Sequence, residues 1–205
     1  MAEKIKLTRP ELKRQRDALA RFERYLPMLK LKQQQLQMTM RQIDREHQKA
    51  AKAEEKARQK FQSYESIMSD MAGINIPDLA ECKEIKTSIS NVAGVAIPIF
   101  EDVVFPEARY SLFATPAWVD TALADLREVN MRTAKLDILQ RQNDLLQKEL
   151  TKIVQRVNLF EKVKIPESRE NIRRIRIQLG DEMTSAVGRA KIAKNKLGEA
   201  EDQAG

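Results

Sequence analysis

The chain of 205 residues holds one histidine and one cysteine, and that inventory bounds the chemistry its side chains can perform. General acid–base catalysis near neutral pH would rest on His47 alone, and His47 falls between Ile43 and Ala50 on a helical seam, where a structural or register role is the simpler reading. Cys82 and His47 cannot build a Cys/His zinc site, Cys82 has no partner for an internal disulfide, and no glycine-rich phosphate loop occurs. Gly73, Gly94 and Gly180 read as turn or cap residues, and Met68, Met71 and Met131 as packing rather than metal ligands. No catalytic, cofactor-binding or metal residue is therefore assigned, and no cofactor is expected. The run Arg169, Arg173, Arg174, Arg176 could meet a phosphate backbone. Ile172, Ile175 and Leu179 interleave with it and no stacking aromatic accompanies it, so nucleic acid is not an expected partner.

With chemistry so thin, the informative pattern is apolar periodicity. Stepping alternately by three and four from Leu12 reaches Gln15, Leu19, Phe22, Leu26, Leu29, Gln33, Leu36, Met40, Ile43, His47, Ala50, Glu54, Ala57, Phe61, Tyr64, Met68 and Met71. The same stepping from Trp118 reaches Ala122, Asp125, Val129, Arg132, Leu136, Leu139, Asn143, Leu146, Leu150, Ile153, Val157 and Phe160. A narrow seam kept over so many turns is the mark of a coiled coil. The predicted fold class is all-α dominated: a long antiparallel two-helix coiled coil with a small β-hairpin and irregular insert at the tip.

Three segments follow. Residues 1–73 form the first long helix, opened by a reciprocal Thr8/Glu11 cap with Pro10 in the first turn, and bent near Pro27. Residues 74–116 form the tip, where Ile85, Thr87 and Ile89 alternate with Lys86, Ser88 and Ser90, a turn lies near Ser90 to Gly94, and Phe100 to Ala114 is irregular. Residues 117–205 form the second long helix, with Thr115 as N-cap, Pro116 at the first helical position and a phase reset at Lys164-Ile165-Pro166. Setting Met71 opposite Ala117 puts Leu12 opposite Arg176, which leaves an unpaired overhang from about residue 180.

A third of the residues are charged and about a twentieth aromatic, a composition for long helices that bury one stripe each rather than for a compact core. No apolar stretch reaches the ~20 residues of a membrane span, so a soluble, cytoplasmic protein without direct membrane insertion is expected. Residues 1–60 carry 17 Lys/Arg against 8 Asp/Glu, residues 61–130 carry 4 against 11, and residues 131–205 carry 16 against 11. An antiparallel hairpin gathers the two basic segments toward one end, which suggests different partners at the two ends. For any single Lys or Arg, a solvated helix face is the simpler reading.

The stretches Lys6-Leu7-Thr8-Arg9-Pro10-Glu11-Leu12, Arg24-Tyr25-Leu26-Pro27 and Leu31-Lys32-Gln33-Gln34-Gln35-Leu36 resemble the D subunits of V-type ATPases and ATP synthases. So do Arg156-Val157-Asn158-Leu159-Phe160-Glu161, Ile165-Pro166-Glu167, Asn171-Ile172-Arg173-Arg174-Ile175 and Ala186-Val187-Gly188-Arg189-Ala190-Lys191. The resemblance implies a central-stalk rotor subunit that passes torque between ATP chemistry in the catalytic A and B subunits and H+ or Na+ movement in the membrane ring. It also implies further partners, the small F subunit of the stalk and the socket subunit (C/d type) over that ring, and a place peripheral to the membrane. Contacts to the catalytic head are expected from Arg173, Arg176, Val187, Arg189, Ala190, Lys191 and Lys194. Contacts to the stalk partner are expected from Phe61, Tyr64, Ile85, Ile89 and Trp118. A coiled-coil tether or adaptor, a nucleic-acid-binding hairpin and an enzyme with a hidden site remain open at this point.

Overall fold

The computed structural model describes residues 5–65, 75–108, 115–116 and 118–202, with side chains given except at 63–65 and 197–202. Among these residues, four α-helices and one two-stranded sheet run in the order α1 (Arg9–Glu65), α2 (Ile76–Ala80), β1 (Glu84–Val92), β2 (Val95–Val104), α3 (Trp118–Leu159) and α4 (Ile165–Asp202). A π-helical turn over Phe160–Lys164 joins the last two helices. The chain divides into two compact units, Met1–Leu31 with Val154–Gly205, and Lys32–Ile153.

In the first unit, α1 packs antiparallel to the end of α3 and to α4. Phe22 and Phe160 meet with ring centroids 5.0 Å apart. Lys30 Nζ pairs with Glu161 at 2.8 Å and Arg169 with Glu23 at 2.8 Å, so the partner number rises as the α1 number falls. The seam on α3 and α4 runs through Val157 and Phe160, then Ile165, Ser168, Ile172 and Ile175, all buried except the half-buried Phe160. Between Phe160 and Ile165 the step is five residues. The π turn supplies the extra residue: the Ile165 N–H donates to the Phe160 carbonyl, five positions back. The expected phase reset is thus made inside an unbroken helical path, and the widened turn directly precedes Pro166, whose ring would crowd the carbonyl one α-turn earlier. Helix α1 likewise continues through Pro27, whose ring is exposed. At its start the Leu12 N–H donates to the Thr8 carbonyl at 3.0 Å. The expected Thr8/Glu11 box is not formed: Glu11 accepts from Gln15 Nε2 at 2.8 Å and faces Arg14 at 3.8 Å.

In the second unit, α1 and α3 are again antiparallel. Leu36 and Leu146 are fully buried, with Ile43, Ile138, Leu139 and Ile153 nearly so. Asn143 Nδ2 donates to Asp44 at 3.0 Å and Lys60 Nζ reaches Asp125 Oδ1 at 2.7 Å. The register inferred from sequence would have put Asp144 and Glu128 in those places, so the observed pairing is offset from it by one to three residues.

The insert belongs to this unit. Strands β1 and β2 pair antiparallel through a two-residue turn at Ala93 and Gly94, both at positive φ (51° and 87°). That combination is the type I′ turn, whose twist matches the strands it joins. Asn91 Oδ1 accepts the Gly94 N–H at 2.9 Å, and a register shift beside Lys86 leaves Glu101 bulged. Strand β2 extends to Val104, further than the irregular stretch expected from Phe100. Along β1 the half-buried face is Ser88, Ser90 and Val92, while Ile85 and Ile89 point outward at 37 % and 80 % exposure. Helix α2 was not foreseen. Its Ile76 and Ala80 pack with Val119 and Leu123, and Leu79, Ala108, Trp118 and Leu126 border that cluster. Helix α3 begins at Trp118, two residues after Pro116, whose carbonyl accepts the Val119 N–H at 3.1 Å.

Candidate functional site

Three polar side chains of α3 hold the insert. Arg127 reaches the Leu79 carbonyl from Nε (3.2 Å) and Nη2 (3.0 Å), and the Pro106 carbonyl at 2.6 Å. Its guanidinium carbon also lies 5.4 Å from the Phe105 ring centroid. Asn130 Nδ2 donates to the Ala80 carbonyl at 2.7 Å. These bonds satisfy carbonyls that the end of a five-residue helix leaves without intrahelical partners. Gln142, buried, donates to the Pro98 carbonyl and ties β2 to the same helix. Nothing in the sequence distinguished these three from ordinary polar helix residues; each serves a carbonyl 21 to 50 positions away.

The residues expected to meet the catalytic head all lie in the first unit and are all exposed. Arg173 and Arg176 flank the buried Ile172 and Ile175 and make no ion pair among the described residues, whereas Arg169 and Arg174 are engaged with Glu23 and Glu170. Val187 is 69 % exposed, and Arg189, Ala190, Lys191 and Lys194 are also exposed. Every residue from 180 to 196 is exposed. A Cβ added at Gly180 or Gly188 would meet nothing within 4 Å. Each of these glycines costs an exposed helix about 1 kcal/mol relative to Ala.

The residues expected to meet the stalk partner fall into two groups in the second unit. Ile85 and Ile89 stand on the outward face of β1; Ile99 on β2, 40 % exposed, is paired with Ser88 and so belongs to the other face. Phe61 is half-buried on the α1 seam, and Trp118 is packed against the α2 cluster, so both already serve their own unit. The side chain of Tyr64 lies outside the described residues, as do Met68, Met71, Gly73 and Lys4.

Among the described residues no group of three or more His, Cys, Asp or Glu is placed to hold a metal ion, and no helix is long and apolar enough to cross a membrane. Cys82, the one thiol, is half-buried, and burial followed by the neighbouring Glu81 carboxylate pushes its pKa up, away from nucleophilic reactivity. His47 is half-buried on its seam.

The described residues thus form antiparallel helix pairs that carry exposed basic side chains and an outward apolar hairpin face, the architecture of a helical-hairpin protein without a catalytic constellation among those residues. The chain belongs to the family of ATP synthase D subunits, which it matches over residues 11–195. It is 41 % identical over 194 residues to the V-type ATP synthase D subunit of Borreliella burgdorferi, covering 95 % of each chain. It is 35 % identical to that of Chlamydia pneumoniae and 33 % identical to that of Chlamydia felis, in both cases over 96 % of this chain and 95 % of the relative. The insert and nearly all of both helical arms lie inside the family match.

Proposed function

We propose that this chain is the central-stalk rotor component of a V-type ATPase or ATP synthase. It transmits torque between ATP hydrolysis or synthesis in a head of A and B subunits and H+ or Na+ translocation in a membrane ring. The catalytic steps belong to the head, and this chain is not itself an enzyme. Family membership supports a subunit of that complex, and the observation that carries the rotor assignment is the exposed run 180–196 on α4. Its Arg189, Lys191 and Lys194, exposed and without ion pairs among the described residues, its exposed Val187 and its two glycines, at which an added Cβ would meet nothing within 4 Å, suit a slim helix gripped by a surrounding partner. We assign Arg173, Arg176, Val187, Arg189, Ala190, Lys191 and Lys194 to the head contact.

We assign Phe61, Tyr64, Ile85, Ile89 and Trp118 to the contact with the small F subunit of the stalk, and place the socket subunit between this end and the membrane ring. Because two unlike helices have no threefold symmetry, each rotary position offers a different surface to each of three catalytic interfaces. That difference in contact free energy biases their open and closed states.

Truncation after Leu179 tests the assignment. The Phe22–Phe160 contact and the two cross-helix ion pairs remain, so helicity and unfolding of the isolated chain should change little, while docking to the head and ions moved per ATP fall. Crosslinks from cysteines at 187 or 190 to the membrane-side socket rather than to A or B subunits would overturn it.

A further inference from the structure

The second unit carries a cationic trough that none of the contacts above uses. Lys49, Lys52, Lys56 and Lys60 follow one another at intervals of three and four, which sets them along one side of α1. Across from them on α3 stand Glu128 and Arg132, and between the two walls lie only the methyl groups of Ala53 and Ala57. Two of the five cations are matched: Lys60 by Asp125 and Arg132 by Glu128. Lys49, Lys52 and Lys56 have no ion-pair partner among the described residues and are exposed. Three positive charges are therefore held in a row at helical spacing beside a floor too small to fill the groove.

We propose that this trough is a docking site for an acidic helix of a partner protein. A third helix laid between two antiparallel ones repeats coiled-coil packing, and alanines allow its backbone to come close. Carboxylates on that helix at intervals of three and four would face the three unmatched ammonium groups in register. Nucleic acid fits less well. No aromatic side chain borders the trough for a base to stack on. The surface is distinct from the head and stalk contacts, and its test does not depend on the rotor assignment.

The probe is a labelled alanine-based peptide of about 20 residues, long enough to be helical in water, with Glu at intervals of three and four on one face. Its binding to the full chain is followed by fluorescence anisotropy, beside a Gln-for-Glu peptide and an oligo(dT) of similar length. The triple variant Lys49→Gln, Lys52→Gln, Lys56→Gln should bind the acidic peptide at least about tenfold more weakly, since three charge contacts go at once. The charge-matched control Lys83→Gln, Lys86→Gln, Lys148→Gln, altering exposed lysines elsewhere in the same unit, should bind like the parent. Circular dichroism of both variants checks folding, and Gln is nearly as good a helix former as Lys. The proposal is overturned if both triples weaken binding equally, if the Gln peptide binds as well, if oligo(dT) binds the same lysines more tightly, or if the acidic peptide does not bind.

Discussion

Asp125 offers the sharpest test of how the polar positions in the seam behave. Its side chain is 7 % exposed; Oδ1 is 2.7 Å from Lys60 Nζ, and Oδ2 is buried without a hydrogen-bond partner. A buried carboxylate with one oxygen unsatisfied carries a desolvation cost that its ion pair only partly offsets. Lys60 is 60 % exposed on its side chain, so once the carboxylate is gone its ammonium can turn to water. Asp125→Leu should therefore stabilise the chain by about 1–2 kcal/mol, within the range found when buried pairs give way to apolar residues. Lys60→Ala does the reverse and strands the carboxylate. We expect a loss of about 2–3 kcal/mol, below the usual 3–5 for a broken buried pair because solvent reaches the lysine side. The double variant should resemble Asp125→Leu alone. Urea unfolding followed at 222 nm reads each effect as a shift in midpoint at constant slope. If Asp125→Leu is destabilising by more than about 1 kcal/mol, the orphaned oxygen is not the cost assigned to it, and the reasoning fails.

Leu146 is fully buried, so Leu146→Ala should cost about 3–4 kcal/mol, whereas Ile89→Ser at 80 % exposure should change the isolated chain by less than about 0.5 kcal/mol and register only in partner binding. Deleting Val163 should convert the π turn to an ordinary α-turn and leave Ile165, Ile172 and Ile175 on the seam, because the step from Phe160 falls from five residues to the regular four; circular dichroism should show helicity retained, and a large loss would refute the reading of the turn as one absorbed residue. At pH 8, Cys82 should be alkylated more slowly in the folded chain than in urea. Because the folded thiol pKa is raised, its contribution to stability is full below the ordinary thiol value and is lost as pH climbs through the folded one, so urea midpoints should decline there.

The long-range architecture was legible because a seam at three-and-four spacing needs only one kind of information, which residues avoid water. Every described position of both tracks is buried or half-buried, including the polar Gln15, Gln33, His47, Glu54, Asp125, Arg132 and Asn143. The exposure of residues 180–196 was legible from arm lengths alone, because the antiparallel register leaves that stretch of α4 without a partner helix from the same chain. Other features depend on partners distant in sequence. Alternation along β1 shows two faces, but which one turns inward is decided by what lies beneath, and Ile97 and the Gln142 bond to β2 commit the serine face instead of the isoleucines. Five residues of α2 give no periodicity, and its end is satisfied by Arg127 and Asn130 from another helix.

The polar seam residues join these two cases. Asp125, Arg132 and Asn143 interrupt the α3 track in sequence, and each has one buried polar atom without a partner: Oδ2, Nε and Oδ1 respectively. An apolar residue at any of the three would pack without that cost. What the polar groups supply is selectivity, because Lys60 and Asp44 can reach Asp125 and Asn143 in only one alignment of α1 on α3. A purely apolar seam tolerates a slip of one heptad at little penalty, and a slip would break the bonds of Arg127, Asn130 and Gln142 to the insert. In this unit, then, the least stable positions of the seam fix the register on which the insert and its exposed hairpin face depend.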